Sequence, residues 1–220
     1  MASRGNRTEP KRPIPRLYLV TPAVADPATV KDVLGAAVRS GDVAAVLLRL
    51  AAADERTLIN CAKVLAPLVQ DQGAALLLDG LPDIVAHVGA DGAHLGDITA
   101  FEAALGTLKP ARIAGCGGLH TRHDAMLAAE AGADYVMFGE PGQHQHRPSL
   151  DAVVERVDWW AELFEVPCVG FAGGIEEVAP LAEAGAEFIA LGDWIFENPQ
   201  GAALVVAEAA NRLAPVETTG

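Results

Sequence analysis

Several charged residues fall where an apolar run stops, which is where a buried strand delivers a side chain to a surface. Arg49 closes Ala44-Ala45-Val46-Leu47-Leu48, and Asp79 closes Leu76-Leu77-Leu78. A guanidinium at such a point can clamp a phosphate through two parallel N–H bonds, or it can form a structural ion pair with Asp79. Asp79 can hold Mg²⁺ through one oxygen while substrate phosphates supply others, or cap the turn that follows. Asp97, Glu140 and Asp193 each follow a run-ending glycine. Crowded carboxylates can raise one another's pKa and so make a general base; for Asp97 solvated surface is the plainer reading. The stretch Gln143-His144-Gln145-His146-Arg147-Pro148 is polar and suits a lid. Two histidines two residues apart make a poor metal site without a third ligand. Cys116 and His120 are too loosely placed to argue for a thiolate nucleophile.

The run Phe171-Ala172-Gly173-Gly174-Ile175 carries a different chemistry. Paired glycines that end a strand and open a helix present unpaired backbone N–H groups, and the helix terminus adds partial positive charge. A phosphate is the natural guest for Gly173 and Gly174, with Gly192 completing the pocket from the next strand.

These positions make sense only if a regular scaffold gathers them. From Arg16 onward short apolar runs alternate with stretches of helical period, the pattern of a parallel sheet built from βα units. The spacing predicts eight strands, over 16–21, 43–50, 74–79, 92–95, 112–116, 135–138, 168–171 and 188–191, the fourth being the faintest. Helices are predicted over 29–39, 54–70, 122–131, 149–164, 176–184 and 201–213, with Asp54 and Ser149 as N-caps and Gly41, Gly73 and Gly132 as stops. A partial repeat supports the count: Gly-Ala-Asp-Gly-Ala-His-Leu-Gly at 89–96, Gly-Ala-Asp-Tyr-Val-Met-Phe-Gly at 132–139 and Gly-Ala-Glu-Phe-Ile-Ala-Leu-Gly at 185–192 share a helix stop, a strand and a glycine. Eight parallel strands close into a single (β/α)8 TIM barrel over 16–213, with an open doubly wound sheet as the alternative. Function then belongs on the loops at the C-terminal ends of the strands.

Composition narrows the classes. The 220 residues are 51% hydrophobic with a net charge of -13, which repels nucleic acid and anionic membranes. Three separated cysteines suggest neither a disulfide framework nor a zinc knuckle, and fit a reducing cytoplasm. No apolar run reaches the roughly 18 residues of a membrane span, and no secretory signal is visible. Residues 1–15 and 214–220 read as polar tails. Trp159-Trp160 reads either as core or as an interface patch of a homodimer.

The ordered set Leu17-Tyr18-Leu19-Val20-Thr21, Leu48-Arg49, Leu78-Asp79, Gly89-Ala90-Asp91-Gly92-Ala93-His94-Leu95-Gly96, Gly132-Ala133-Asp134-Tyr135, Gly139 and Ala172-Gly173-Gly174-Ile175 resembles the thiamine phosphate synthases and their thiazole tautomerase relatives across nearly the whole barrel. The resemblance implies a cytoplasmic enzyme for a small phosphorylated heterocycle. It would join a pyrimidine diphosphate to a thiazole phosphate, with Mg²⁺ on the diphosphate and a pyrimidine cation captured by the thiazole nitrogen. Carried over position by position, Arg49 and Asp79 match, as metal and anion residues. The family's lysine falls on Ala51, its asparagine on Leu78, its second metal aspartate on Thr99, and its serines on Gly117 and Gly192. The Thr-x-Thr-Lys lid corresponds to His144-Gln145-His146-Arg147, which leaves Arg147 as the positive end and the histidines as phosphate contacts. The tautomerase histidine corresponds to Glu140. Three readings follow: a divergent synthase, an isomerase with Glu140 as proton carrier, and a phosphate-ligand-binding barrel without catalysis.

Overall fold

A computed structural model describes residues 13–141 and 147–214. Eight parallel strands, β1 (Arg16–Val20), β2 (Val43–Leu48), β3 (Ala75–Asp79), β4 (Gly92–Leu95), β5 (Ile113–Cys116), β6 (Tyr135–Phe138), β7 (Cys168–Ala172) and β8 (Phe188–Leu191), pair in sequence order and close β8 onto β1. This is the single (β/α)8 barrel expected, not the open sheet. Around it run α1 (Lys31–Val38), α2 (Glu55–Gln70), α3 (Val85–Val88), α4 (Ile98–Leu108), α5 (Arg122–Glu130), α6 (Leu150–Leu163), α7 (Val178–Glu183) and α8 (Ala202–Leu213). Among the described residues no helix is long and apolar enough to cross a membrane.

Local chemistry explains the boundaries. Asp54 accepts the Thr57 N–H and Ser149 the Ala152 N–H, capping α2 and α6 as expected. The first and seventh helices begin later than expected because Pro27–Thr29 and Ile175–Glu177 wind as 3₁₀ turns first. β2 stops before Arg49, whose N–H goes to the buried Thr21 hydroxyl at 3.0 Å. The helices α3 and α4 complete the eight expected βα units at places where the sequence suggests no range; α4 is announced by Asp97, whose carboxylate caps the Ala100 N–H at 2.8 Å.

Burial on both faces makes the strands apolar almost throughout. One parity, Leu17, Leu19, Val46, Leu48, Leu76 and Leu78 among others, packs outward against the helices. The other parity fills the barrel: Tyr18, Val20, Ala45, Leu47, Leu77, Tyr135, Met137, Val169, Phe171 and Ala190. Gly115 belongs to this inner set, since a methyl group there would overlap the Tyr135 ring. Of the tryptophan pair, Trp160 is fully buried, stacked on Phe164 with Phe138 at its edge, so it is core; Trp159 is half-buried beneath the Arg122 guanidinium.

The repeat also has a physical meaning that its grammar did not reveal. Its acidic residue accepts a backbone N–H from the strand before: Asp91 from Leu76, Asp134 from Ala114, Glu187 from Cys168, at 2.7, 2.7 and 2.8 Å. Each carboxylate thus sews together the N-terminal ends of two neighbouring strands. Asp91→Ala leaves the N–H of the fully buried Leu76 without its charged partner, and about 1.5–3 kcal/mol of stability is expected to go. Denaturant titration checks this; a loss near zero would show that the stitch is not structural.

Candidate functional site

Inward parity continues past the strand ends, so the positions Arg49, Asp79, His94, Gly117, Gly173 and Gly192 converge on the C-terminal mouth. A cavity of about 640 Å³ opens there, lined by Arg49, Asp79, His94, Asp97, His120, Glu140 and Arg156, with Leu47 and Met137 as apolar floor. Glu140 would face outward on a continuing strand. Gly139 turns the chain at φ +89° and brings the carboxylate back over the barrel axis.

A polar column stands beneath the cavity. The Tyr18 and Tyr135 hydroxyls exchange a hydrogen bond at 2.9 Å, Tyr135 Oη meets His94 Nδ1 at 2.9 Å, and His94 Nε2 meets Glu140 Oε2 at 3.1 Å. The Gly118 N–H donates to the other Glu140 oxygen. His94 is buried, so its two nitrogens depend on these partners. Among the described residues no buried side-chain nitrogen or oxygen lacks a partner, and a network satisfied in this way fixes the floor.

The carboxylates differ in state. Burial raises Glu140, but the charge of His94, its hydrogen bond, the Gly118 amide and Arg49 together outweigh burial and hold the carboxyl below the usual glutamate value. Burial raises Asp79 above the usual aspartate value, against the pull of His94 and Arg49. The expectation that rim crowding raises carboxyl pKa values is therefore corrected: burial does so for Asp79, and Glu140 moves the other way. Burial pushes the Cys116 thiol up to about 12, so it is no thiolate.

The predicted site residues separate into groups. Arg49 lies at the mouth with Nε 3.4 Å from Asp79 Oδ2 and Nη1 3.8 Å from Asp193 Oδ2, so the ion pair weighed in the sequence exists and still faces the cavity. Gly173 and Gly174 do follow β7, but the Gly173 N–H is not an open donor, because Glu177 Oε2 takes it at 2.7 Å. Arg147 is held by the same carboxylate, and by the Gly139 and Phe171 carbonyls at 2.8 and 2.6 Å. Gly192 is buried against the Phe171 ring and Trp194. His144 and His146 lie outside the described residues. Sequence reasoning missed the functional weight of His94, Tyr18 and Tyr135, although strand parity could have placed them. It also missed Arg156, which reaches back from α6 to the Leu119 and His120 carbonyls at 2.6 and 3.1 Å.

As for a metal, no three His, Cys, Asp or Glu residues gather into a ligand set among the described residues. Asp79 lines the cavity beside Arg49 and could lend an oxygen to a metal, whereas Asp97 is engaged at its helix cap. A single carboxylate from Asp79, with substrate phosphates supplying further oxygens, could hold Mg²⁺, which keeps most of its waters.

Because the folded Glu140 carboxyl lies below its unfolded value, its stabilisation is complete above the ordinary glutamate pKa and is lost as pH falls through the folded value. The melting temperature of the wild type is therefore expected to fall more steeply than that of Glu140→Gln between about pH 5 and pH 3. Parallel profiles would show that the carboxylate is not held as described.

Comparison with known proteins identifies the family. The sequence model of the family described as thiamine monophosphate synthase matches residues 17–195. The chain is 40% identical over 198 residues to the thiamine-phosphate synthase of Rhodospirillum centenum, covering 88% of this chain and 95% of that one. It is 32% identical over 208 residues to the thiamine-phosphate synthase of Hyphomonas neptunium, covering 90% and 94%. The thiamine phosphate pyrophosphorylase of Pyrococcus furiosus superposes with a TM-score of 0.74 at 21% identity, covering 90% of this chain and 95% of that one, a likeness of fold. The chain belongs to the thiamine monophosphate synthase family.

Proposed function

We propose that the barrel mouth joins a pyrimidine diphosphate to a thiazole, and the observation that carries this is an ionised, covered carboxylate, Glu140, beneath a cavity that also presents Arg49. In such a condensation the bond between the pyrimidine methylene carbon and the diphosphate oxygen breaks, and its electron pair leaves with the diphosphate. The thiazole nitrogen then donates its lone pair to the methylene carbon. Positive charge grows on the pyrimidine and negative charge on the leaving group, so the site needs fixed charges of both signs held apart.

Glu140 supplies the negative one. Its two oxygens are tied to His94 and the Gly118 amide, so the carboxylate does not have to reorganise as the cation forms. Arg49 supplies the positive one at the rim, with Arg156 beside the same cavity. Asp79 would hold Mg²⁺, which when bound neutralises charge on the diphosphate. Leu47 and Met137 offer an apolar bed for a flat ring and exclude water from a reactive cation. The buried cysteines Cys61, Cys116 and Cys168 suit work in a reducing cytoplasm.

The isomerase reading asks Glu140 to take up protons. A carboxyl held below its usual value is a weak base at neutral pH, and its pinned geometry favours a fixed charge instead.

The test follows diphosphate release from the pyrimidine diphosphate with Mg²⁺ and a thiazole acceptor, offered both as phosphate ester and as free alcohol. Arg49→Ala and Glu140→Gln are each expected to lower kcat/KM by about 10²-fold or more, Glu140→Gln mainly through kcat. Ligand binding without turnover would leave the non-catalytic reading, and turnover untouched by either substitution would remove both charges from the mechanism.

A further inference from the structure

We infer that Arg156, carried on α6, is a substrate-binding residue: its guanidinium takes the terminal phosphate of the pyrimidine diphosphate on the β5 side of the cavity. This rests on the proposed condensation and adds to it the residue that tells a diphosphate from a monophosphate.

The cavity as a whole is poor in free positive charge. Among the described residues its lining holds three carboxylates, Asp79, Asp97 and Glu140, against two guanidinium groups, Arg49 and Arg156. Arg49 already faces Asp79 at 3.4 Å and Asp193 at 3.8 Å. Arg147, the cation expected from the lid, is held by Glu177 and does not line the cavity. Arg156 enters no ion pair among the described residues. Of the two guanidinium charges at the cavity, it is therefore the one not matched by a carboxylate. Mg²⁺ on Asp79 would offset part of the charge of a diphosphate, and the remainder calls for a second cation at the same cavity.

The helix delivers this cation by its own geometry. α6 starts at the mouth, with Ser149 as its cap and Pro148 in the cavity lining, and Val153, Val157 and Trp160 anchor its buried face. Helical side chains lean toward the N-terminus, so Arg156 in the second turn leans back toward the mouth. The Leu119 and His120 carbonyls accept from its Nη1 and Nη2 at 2.6 and 3.1 Å. Neutral carbonyls orient the planar group without cancelling its charge, and they take two of its five N–H donors. The others are left for phosphate oxygens, in a fork that suits two oxygens at once.

Calorimetry on the full chain with Mg²⁺ tests this, using the pyrimidine diphosphate, the pyrimidine monophosphate and inorganic diphosphate. Arg156→Gln is expected to bind both diphosphates about tenfold or more weakly, the size of a charge-assisted hydrogen bond, with little change for the monophosphate. Arg156→Lys keeps the charge without the fork and is expected to fall between the two. Arg122→Gln removes the same charge from the neighbouring helix, where it pairs with Glu155 outside the cavity lining, and is expected to change diphosphate binding far less. A folded Arg156→Gln protein with unchanged diphosphate affinity overturns the inference. So does an equal loss for monophosphate and diphosphate, which would make Arg156 only a brace for the β5 loop. If Arg156→Gln does not fold, Arg156→Lys decides: a loss confined to the diphosphates supports the inference, and wild-type affinity for them overturns it. Diphosphate binding that depends on Arg156, in a chain that does not turn over with any thiazole, leaves the inference standing and removes the condensation.

Discussion

His94 sits buried in the barrel with both ring nitrogens engaged, the Tyr135 hydroxyl on one side and Glu140 on the other. A buried imidazole with two polar neighbours fixes the orientation of both. Through Tyr135 the constraint runs down to Tyr18, and through Glu140 it runs up to the Gly118 amide on the β5 loop. Strands β1, β4 and β6 are thereby linked by side chains across the barrel lumen as well as by their ladders. The space for this column comes from Gly115, whose missing side chain admits the Tyr135 ring, and from the turn at Gly139 that returns Glu140 to the axis.

Charge at the mouth follows from the same constraint. A chain of net charge -13 must present anion-binding groups against its own field, and here two guanidinium groups are closely matched by carboxylates. Arg49 faces Asp79 and Asp193, and Arg147 faces Glu177. What results is an electrostatic pattern: carboxylate at the centre, guanidinium at the rim. That pattern matches a reaction in which the ring becomes positive and the leaving group negative.

Much of the fold was legible because hydrophobic period and glycine punctuation are local signals. Eight strands were placed within a few residues, and the caps at Asp54 and Ser149 emerged as read. The short α3 was illegible, since Val85–Val88 is a single turn with no amphipathic period to detect. Arg49 and Asp79 were legible because an apolar run that ends in a charge marks a strand delivering it to a mouth. Glu140 was named but its state was not, because burial, His94 and a loop amide from three different elements decide it. Glu177 could not be read at all: a glutamate in the first turn after Gly-Gly looks like solvated helix surface until Arg147, thirty residues earlier, is seen against it.

The most direct measurement of the central claim is a crystal structure of the chain soaked with the pyrimidine diphosphate and Mg²⁺. The account places the pyrimidine ring between Leu47 and Met137 with Glu140 beside the methylene carbon, and the diphosphate turned toward Arg49 and Asp79. A diphosphate bound instead at Gly173, with Glu177 expelled and the ring remote from Glu140, would contradict it.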